Sequence, residues 1–133
     1  MVERNGLYFE KFTDVPFTGE VVGRETGSFK NGKREGYWEE YYRNGQLKWY
    51  MNYKDGKEED GSWEIYGENG ELSIRFSRKN GRLNGLFEQY WDNGNLFRKG
   101  YYKNGKQEGL WTFYNENGTI KRTETFKDGV KVE

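Results

Sequence analysis

The chain has 133 residues, and its 22 Lys and Arg side chains balance 22 Asp and Glu side chains, so the formal net charge is zero. This length suits one ordinary domain, and the charge balance argues against nucleic acid as a partner because phosphate binding usually shows as a basic excess. His and Cys are absent, which excludes the commonest general base, the thiol nucleophile and a disulfide framework. We therefore expect no enzyme activity, no cofactor and no metal site.

Aromatic side chains dominate the apolar part of the composition. Hydrophobic residues make up 32% of the chain and aromatic residues 19%, beside 19 Gly and a single Pro. Low hydrophobicity with 33% charge is typical of disorder, but disordered segments are poor in aromatic rings. Many rings and many glycines indicate a thin β-sheet whose rings cover its strands, without a deep core.

Residues 1–33 differ from the rest of the chain, and we interpret them as a degenerate repeat that caps the open end of an array. The stretch 18–23 has the composition of a strand, and Gly27-Ser28-Phe29 leads into the first regular turn. The aromatic side chains that surround Pro16 are Phe9, Phe12 and Phe17.

From residue 32 onward, glycines recur in three ladders with steps of 24 or 25 residues, the signature of a repeat architecture. The ladders are Gly32, Gly56, Gly81, Gly105 and Gly129; Gly45, Gly70, Gly94 and Gly118; and Gly36, Gly61, Gly85 and Gly109. One extra residue falls between Gly56 and Gly61, as a surface loop tolerates. We predict one repeat domain, 1–133. After the cap, its repeats are 34–57, 58–82, 83–106 and 107–133.

Each repeat reads Gly-x-(Trp/Phe)-x-x-Tyr-x-x-Asn-Gly, followed by Leu or Ile and a second Asn-Gly or Asp-Gly. These dipeptides are strong hairpin signals because both residues tolerate positive φ. Between turns, Leu47, Trp49, Met51 and Tyr53 occupy alternate positions, the period of a strand. The sequence predicts an all-β fold: an elongated, open, solenoid-like single antiparallel sheet of tandem β-hairpins, in which equivalent rings of successive repeats touch.

The last predicted strand runs from Ile120 to Phe126. It carries Arg122 and Glu124 at positions that are apolar in most inner repeats. Charged side chains there would discourage pairing with another exposed strand.

The stretches Phe29 to Gly36 and Tyr102 to Gly109 fit the pattern (Tyr/Trp/Phe)-x-(Asn/Asp)-Gly-x-x-x-Gly, and Tyr53 to Gly61 fits it with one extra residue. This pattern resembles the MORN repeat, and the added Tyr-x-x-Asn-Gly-x-Leu half resembles the bacterial variant in antitoxin-like proteins of the YwqK type. The resemblance covers nearly the whole chain and implies a β-sheet with a binding or scaffolding role, without catalytic residues. Arg78 departs from it by replacing the aromatic residue expected before the turn.

The segment Gly6 to Gly19 is similar to the leader of exported bacterial members of this family. No signal peptide is visible, since Met1 leads directly into Val2-Glu3-Arg4-Asn5-Gly6. An exported mature form and a cytoplasmic protein are both compatible with the sequence.

Charged residues accumulate at the turns. One class of turn is preceded by a ladder of lysines: Lys30, Lys54, Lys79, Lys103 and Lys127. The other class carries Glu68, Asp92 and Glu116, so one long edge of the sheet is expected to be basic and the other acidic. We expect the lysines to solubilise the turns rather than to bind phosphates or lipid headgroups.

Carboxylates also recur along the strands and in one turn. We interpret Glu39, Glu64 and Glu88 as a solvated column, and residues 58–60 as a turn rather than a glycosidase pair or a calcium loop.

The informative aromatic residues are those that break the repeat, because the fold does not require them. They are Tyr42, Trp49, Tyr50, Trp91, Phe97 and Tyr101. Exposed Trp and Tyr residues are typical interface anchors, although rings at these positions could equally serve only to shield neighbouring strands. We expect a protein-binding module, with an antitoxin or immunity role as its specific form. The alternatives are a cell-envelope or glycan-binding repeat protein and association with a phospholipid surface through the Lys edge.

Overall fold

The computed structural model describes residues 2–4, 7–9, 18–21 and 23–132. Within these residues every regular element is a β-strand and strands pair antiparallel, which confirms the predicted all-β class and the open antiparallel sheet of tandem hairpins. No helix in this part of the chain is long and apolar enough to cross a membrane. Three residues of the predicted cap, Phe12, Pro16 and Phe17, lie outside the described residues.

The chain divides into two compact units, Met1–Glu59 and Asp60–Glu133, called here the N-terminal unit and the C-terminal unit. The strands of the N-terminal unit are β1 (Val2–Arg4), β2 (Leu7–Phe9), β3 (Gly19–Val21), β4 (Glu25–Lys30), β5 (Lys33–Tyr41), β6 (Leu47–Lys54) and β7 (Lys57–Glu58). Strand β1 pairs with β2, and a second sheet has the order β7-β6-β5-β4-β3.

The C-terminal unit repeats the same hairpin several times. Its strands are β8 (Gly61–Tyr66), β9 (Leu72–Lys79), β10 (Arg82–Leu83), β11 (Gly85–Tyr90), β12 (Leu96–Lys103), β13 (Lys106–Tyr114), β14 (Ile120–Lys127) and β15 (Val130–Lys131). Their order is β8-β9-β11-β12-β13-β14-β15, and the short β10 also pairs with β9. Neighbours in sequence are therefore neighbours in the sheet.

The turns after β4, β6, β9, β12 and β14 have positive φ at both central residues, as at Asn104 (50°) and Gly105 (82°). Positive φ at both positions gives the type I′ geometry, whose twist matches that of the flanking strands. The hairpin turns predicted from the Asn-Gly and Asp-Gly dipeptides are confirmed at these positions.

The other class of turn differs from the prediction, since only its glycine adopts positive φ, as at Gly94 (89°). Here the Asn side chain stabilises the turn instead: Oδ1 of Asn93 accepts the N–H of Asn95 at 2.9 Å, while the N–H of Gly94 donates to the carbonyl of Trp91 at 2.9 Å. The same Asn contact recurs at Asn44, Asn69 and Asn117. The asparagine is thus selected as a side-chain acceptor rather than for left-handed backbone.

The core of the C-terminal unit depends on a ring packed over a glycine. Trp111 of β13 is fully buried although the sheet is thin, because its indole lies over the backbone of Gly100 on β12, where a Cβ would approach the ring to 2.3 Å. The indole Nε1 donates to the carbonyl of Tyr101 at 3.2 Å. Without a side chain on Gly100, Trp111 also reaches Phe87 of β11, at a centroid distance of 5.7 Å. The predicted contact between rings of successive repeats is confirmed here.

Ring sizes in this core compensate one another. The position equivalent to Gly100 in the preceding hairpin is Phe76, and the ring of the next strand is Phe87 rather than a tryptophan. Phe76 and Phe87 are both buried. A large side chain on one strand is thus matched by a smaller one on the next, which keeps the packed volume roughly constant.

The N-terminal unit uses the same arrangement at its own tryptophan. Trp38 is 1% exposed, packs edge-on to Phe29 at a centroid distance of 5.0 Å, and lies over Gly27, where a Cβ would come within 2.2 Å of the ring. Its Nε1 donates to the carbonyl of Ser28 at 3.1 Å. The guanidinium of Arg34 covers the exposed side of the ring, 4.5 Å from its centroid.

Arg78, which departs from the repeat pattern, does not disrupt its hairpin. It pairs with Gly61 across β8 and β9, and its guanidinium lies 5.4 Å from the centroid of Phe76. A cation over a ring therefore replaces the expected ring-to-ring contact.

Replacing Gly100 with Ala is expected to lower the free energy of unfolding by about 1–3 kcal/mol, because the added methyl group overpacks the Trp111 indole. The matched variant Trp111→Phe, which shrinks that ring, should destabilise the wild-type chain but cost less in the Gly100→Ala background. Urea unfolding of the four proteins measures this coupling. Additive effects of the two substitutions would contradict the inferred contact.

Candidate functional site

A row of side chains runs across β11 to β14 on the face that carries Trp111. Register pairs Gln89 with Arg98, Arg98 with Phe113, and Phe113 with Arg122. Since alternate residues of a strand share a face, Phe113 lies on the same side of the sheet as Trp111. The row therefore extends the buried aromatic core toward solvent.

This row forms the floor of an open groove of about 470 Å³, within the size range of small-ligand and side-chain pockets. Its lining residues are Gln89, Trp91, Phe97, Arg98, Phe113, Tyr114, Lys121 and Arg122. Two of the aromatic residues predicted to bind a partner, Trp91 and Phe97, lie in it.

Trp91 follows β11 after an irregularity in register between Gln89 and Tyr90. Its ring stacks on Phe97 with centroids 4.4 Å apart and an interplanar angle of 29°. The indole Nε1 of Trp91 is enclosed and has no hydrogen-bond partner among the residues that the structure describes. The indoles of Trp38 and Trp111, in contrast, donate to backbone carbonyls. An enclosed donor without an acceptor is costly, by about 1–3 kcal/mol, so the Trp91 indole is packed less favourably than the indoles of Trp38 and Trp111.

Cationic side chains line the groove opposite Trp91. Arg98 donates through Nε to the neutral amide oxygen of Gln89 at 2.8 Å and lies 5.1 Å from the centroid of Phe87. Arg122 lies 4.1 Å from the centroid of Phe113. Lys121 is exposed. Arg98 and Lys121 give the groove a positive local charge although the chain is neutral.

Arg122 differs from Arg98 because it has a carboxylate partner. Its Nε lies 2.9 Å from Glu124 Oε1, and Lys131 Nζ lies 3.5 Å from the same oxygen. The pKa of Glu124 is lowered, chiefly by the hydrogen bond from Arg122 and further by the charges of Lys131 and Arg122. Arg122 and Glu124 therefore form an ion pair on β14. The sequence predicted this to be the last strand, but β15 pairs with its end, and the Glu124 side chain is only 16% exposed.

A second indentation, of about 370 Å³, also has Trp91 in its lining. Its lining residues are Tyr90, Trp91, Asp92, Asn93 and Glu116. Asp92 and Glu116 are exposed, and Asn93 Nδ2 binds the backbone carbonyl of Glu116 at 2.8 Å rather than its carboxylate. The pKa of Tyr90 is raised by burial and by the nearby charge of Glu88. Trp91 thus stands between a cationic groove and an acidic indentation.

The remaining candidate aromatics are not gathered around Trp91. Tyr42, Trp49 and Tyr50 belong to the N-terminal unit, where Trp49 Nε1 donates to Glu40 at 2.5 Å. Tyr50 lies 6.0 Å from Tyr37 and Tyr42 lies 5.5 Å from Lys48 Nζ. Tyr101, in the C-terminal unit, is 58% exposed and does not line the groove.

The predicted basic edge corresponds to lysines that end strands. Each of these lysines is the last residue of its strand and is exposed: Lys30, Lys54, Lys79, Lys103 and Lys127. Within the C-terminal unit the acidic residues Glu68, Asp92 and Glu116 lie at the other class of turn, and hence at the opposite edge of the sheet.

Several carboxylates that the sequence predicted to be solvated form ion pairs or hydrogen bonds. Glu64 and Glu88 do not form a simple solvated column, because Arg75 lies between them at 3.3 and 3.6 Å. The pKa of Arg75 is raised: burial opposes the charge, but the hydrogen bond and charge of Glu64 outweigh it. Asp60 accepts the N–H of Asn80 at 2.8 Å, a structural role in a turn.

No group of three or more acidic side chains among the described residues is arranged to hold a metal ion.

The binding residues predicted from the sequence were all aromatic, so they did not include the cationic side chains of the groove. Arg98 and Arg122 occupy a column that holds Trp49 and Ile74 in other repeats, and Lys121 shares a column with Phe97. Arg122 was predicted only as a charge that discourages strand pairing, and Arg98 and Lys121 stand at positions that vary between repeats.

Three segments of the chain match the family described as MORN repeat variant: residues 34–55, 83–104 and 107–128. A comparison with curated proteins gives no match. The hairpin of β8 and β9 lies outside the three segments yet has the same strand pairing. MORN repeats are typically non-catalytic binding modules, so the matches support a non-enzymatic repeat module.

Asp60→Ala is expected to lower the free energy of unfolding by about 1 kcal/mol, because the N–H of Asn80 loses its acceptor. Asp60→Asn is the matched control and should be nearly neutral, since Asn84 accepts the N–H of Asn104 at 3.1 Å in the next repeat. Thermal unfolding with and without added calcium measures both effects. A calcium-dependent rise in Tm that Asp60→Ala removes would instead indicate a metal site.

Arg122→Ala is expected to raise the pKa of Glu124 toward its ordinary value, because the main hydrogen bond to the carboxylate is lost. A folded pKa below the unfolded value means that Glu124 stabilises the fold above the unfolded pKa, and that this contribution disappears as the pH falls through the folded pKa. Titration of the carboxyl carbon by NMR measures the shift, with Lys131→Ala as a control of smaller effect. An unchanged titration in Arg122→Ala would refute the pairing.

Proposed function

We propose that this chain is a protein-binding module and that its partner contacts the groove beside Trp91. The main support is the combination of aromatic and cationic side chains on one open surface: the Trp91–Phe97 stack at 4.4 Å, with Arg98, Lys121 and Arg122 in the same lining. Trp, Tyr and Arg are the residues that most often dominate binding energy at protein interfaces. A rigid sheet presents them without a large ordering cost on binding.

Sequence variation between repeats supports the same surface. Phe97, Arg98, Lys121 and Arg122 stand at positions that are not the same in all repeats, whereas Trp111 occupies a position that the fold requires. Residues that packing does not specify are available for recognition. In its more specific form the proposal is an antitoxin or immunity role, in which the module binds and blocks a toxic protein. That form is favoured by the resemblance to antitoxin-like proteins.

The Trp91 ring does not favour a sugar as ligand. One face of the indole is already stacked on Phe97, so only its second face is left for stacking with a sugar. We therefore rank glycan binding below protein binding for this groove.

Trp91→Ala is expected to weaken capture of the partner from extracts of the source cell by at least about 2 kcal/mol, roughly thirtyfold in Kd, because an anchor in the groove is lost. The matched control is Leu110→Ala. Leu110 is 59% exposed and precedes Trp111 on β13, so it lies on the opposite face. Affinity capture with quantitative mass spectrometry, after a Tm check on both variants, gives the comparison. A partner retained equally by wild type and Trp91→Ala would refute the proposal.

A further inference from the structure

We infer that the surface around Trp91 binds a peptide segment in which acidic residues and basic residues lie two or three positions apart. This inference rests on the proposed function and adds the chemistry of the partner. It is argued from the two oppositely charged indentations that share Trp91.

The cationic groove provides the site for the acidic half of the segment. Arg98 donates a side-chain hydrogen bond to the neutral amide of Gln89. This bond holds the guanidinium in place but does not neutralise its charge. The guanidinium is also fixed over the rings of Phe87 and Trp111, at 5.1 and 5.8 Å from their centroids. A preorganised guanidinium of this kind favours a carboxylate, which it can bind with two parallel hydrogen bonds.

Lys121 adds a second cation to the same lining, on an exposed side chain that can follow the ligand. Arg122 already has Glu124 as its partner at 2.9 Å and contributes mainly its surface over Phe113. We therefore assign carboxylate binding to Arg98 and Lys121, and apolar contact to the rings of the groove.

The acidic indentation provides the site for the basic half. Asp92 and Glu116 are exposed, and the side-chain amides of Asn93 and Asn95 both bind the backbone carbonyl of Glu116 at 2.8 Å. These bonds stabilise the turn through the backbone of Glu116, so the Glu116 carboxylate can contact a ligand. A Lys or Arg of the ligand would neutralise this pair of like charges.

Trp91 lines both indentations, which sets the spacing between the two halves of the ligand. An extended chain covers about 3.3 Å per residue, so two or three residues span roughly 7–10 Å, about the width of an indole. The enclosed Nε1 of Trp91 has no acceptor among the described residues. A small rotation of the ring on binding would let it donate to a backbone carbonyl of the ligand, relieving the cost of that donor.

The same geometry disfavours an anionic membrane or nucleic acid at this surface. Asp92 and Glu116 stand beside the cationic groove and would repel a continuous sheet or line of phosphates. The lysine ladder, in contrast, lies at the other class of turn. A short segment with opposite charges at its two ends is the ligand that meets both indentations favourably.

The test uses three fluorescein-labelled, end-capped peptides measured by fluorescence anisotropy against the whole chain. The first is Glu-Glu-Phe-Gly-Lys-Lys; the second, Glu-Lys-Phe-Gly-Lys-Glu, has the same composition in another order; and the third is Glu-Glu-Phe-Gly-Glu-Glu. The first peptide is expected to bind at least about tenfold more tightly than the second, since only its charges are segregated. Equal affinities, or no binding of the first peptide at roughly 1 mM, would overturn the inference.

Charge-reversal variants identify the residues that act. Lys121→Glu should weaken binding of the first peptide about tenfold. Arg98→Gln is the second test of a cation, because it removes the charge while retaining a side-chain amide. Asp92→Lys combined with Glu116→Lys should reverse the preference, so that the third peptide binds better than the first. Vesicles of phosphatidylcholine with phosphatidylserine serve as the competing arm. Co-sedimentation that Lys121→Glu abolishes, in place of peptide binding, would assign the groove to lipid and overturn the inference.

The peptide test and the capture test fail in different ways. If Trp91→Ala loses the captured partner while Lys121→Glu and the Asp92 and Glu116 double variant retain it, the charge inference is wrong and the protein-binding function stands. If Trp91→Ala retains the partner, the proposed function itself fails at this surface.

Discussion

The fold depends on large aromatic rings packing over strands whose side chains make room for them. A thin sheet cannot bury a ring between two layers, so it must cover the ring with its own neighbours. At Trp111 the neighbour below is Gly100, where a Cβ would come within 2.3 Å of the indole, and the ring is fully buried as a result. Trp38 over Gly27 repeats the arrangement in the N-terminal unit. Absence of a side chain is here as specific a requirement as the presence of one.

The same packing shapes the groove that is the candidate binding surface. Gly100 leaves room for Trp111 to contact Phe87, at a centroid distance of 5.7 Å. The guanidinium of Arg98 lies over both of these rings. Arg122 is held in the same way over Phe113. Cations fixed by rings lose little conformational freedom when they bind a ligand. The contacts that bury the core of the C-terminal unit are therefore also the ones that hold the side chains proposed for recognition.

The two classes of turn have separate roles in this arrangement. Type I′ turns carry the lysines and need left-handed backbone at both central residues, as at Asn104 and Gly105. The other class relies on an asparagine side chain and places acidic residues next to Trp91. Charge is thus separated between the edges of the sheet, and the neutral composition hides a surface with both signs in defined places.

Much of the fold was readable from the sequence because each signal is local. Glycine spacing, period-two alternation and Asn-Gly turns depend on residues close together in the chain, and β6, β9, β12 and β14 begin at the Leu or Ile that follows each of these turns. The aromatic half of the groove, Trp91 and Phe97, was also identified, because these rings interrupt the repeat. The positive φ expected at Asn93 and its equivalents was wrong, since the asparagine side chain competes with its own backbone conformation.

The sequence alone determined that hairpins recur and which rings are not required by the repeat. Only the tertiary structure decided which of those rings meet: Trp91 and Phe97 stack, whereas Tyr101 remains exposed. It also decided that Arg98, Phe113 and Arg122 lie in one row, since register joins residues from three strands. The physical reason is that a strand fixes the face of each residue locally, while the neighbours of that face come from other strands, whose alignment is set by pairing and bulges rather than by distance along the chain.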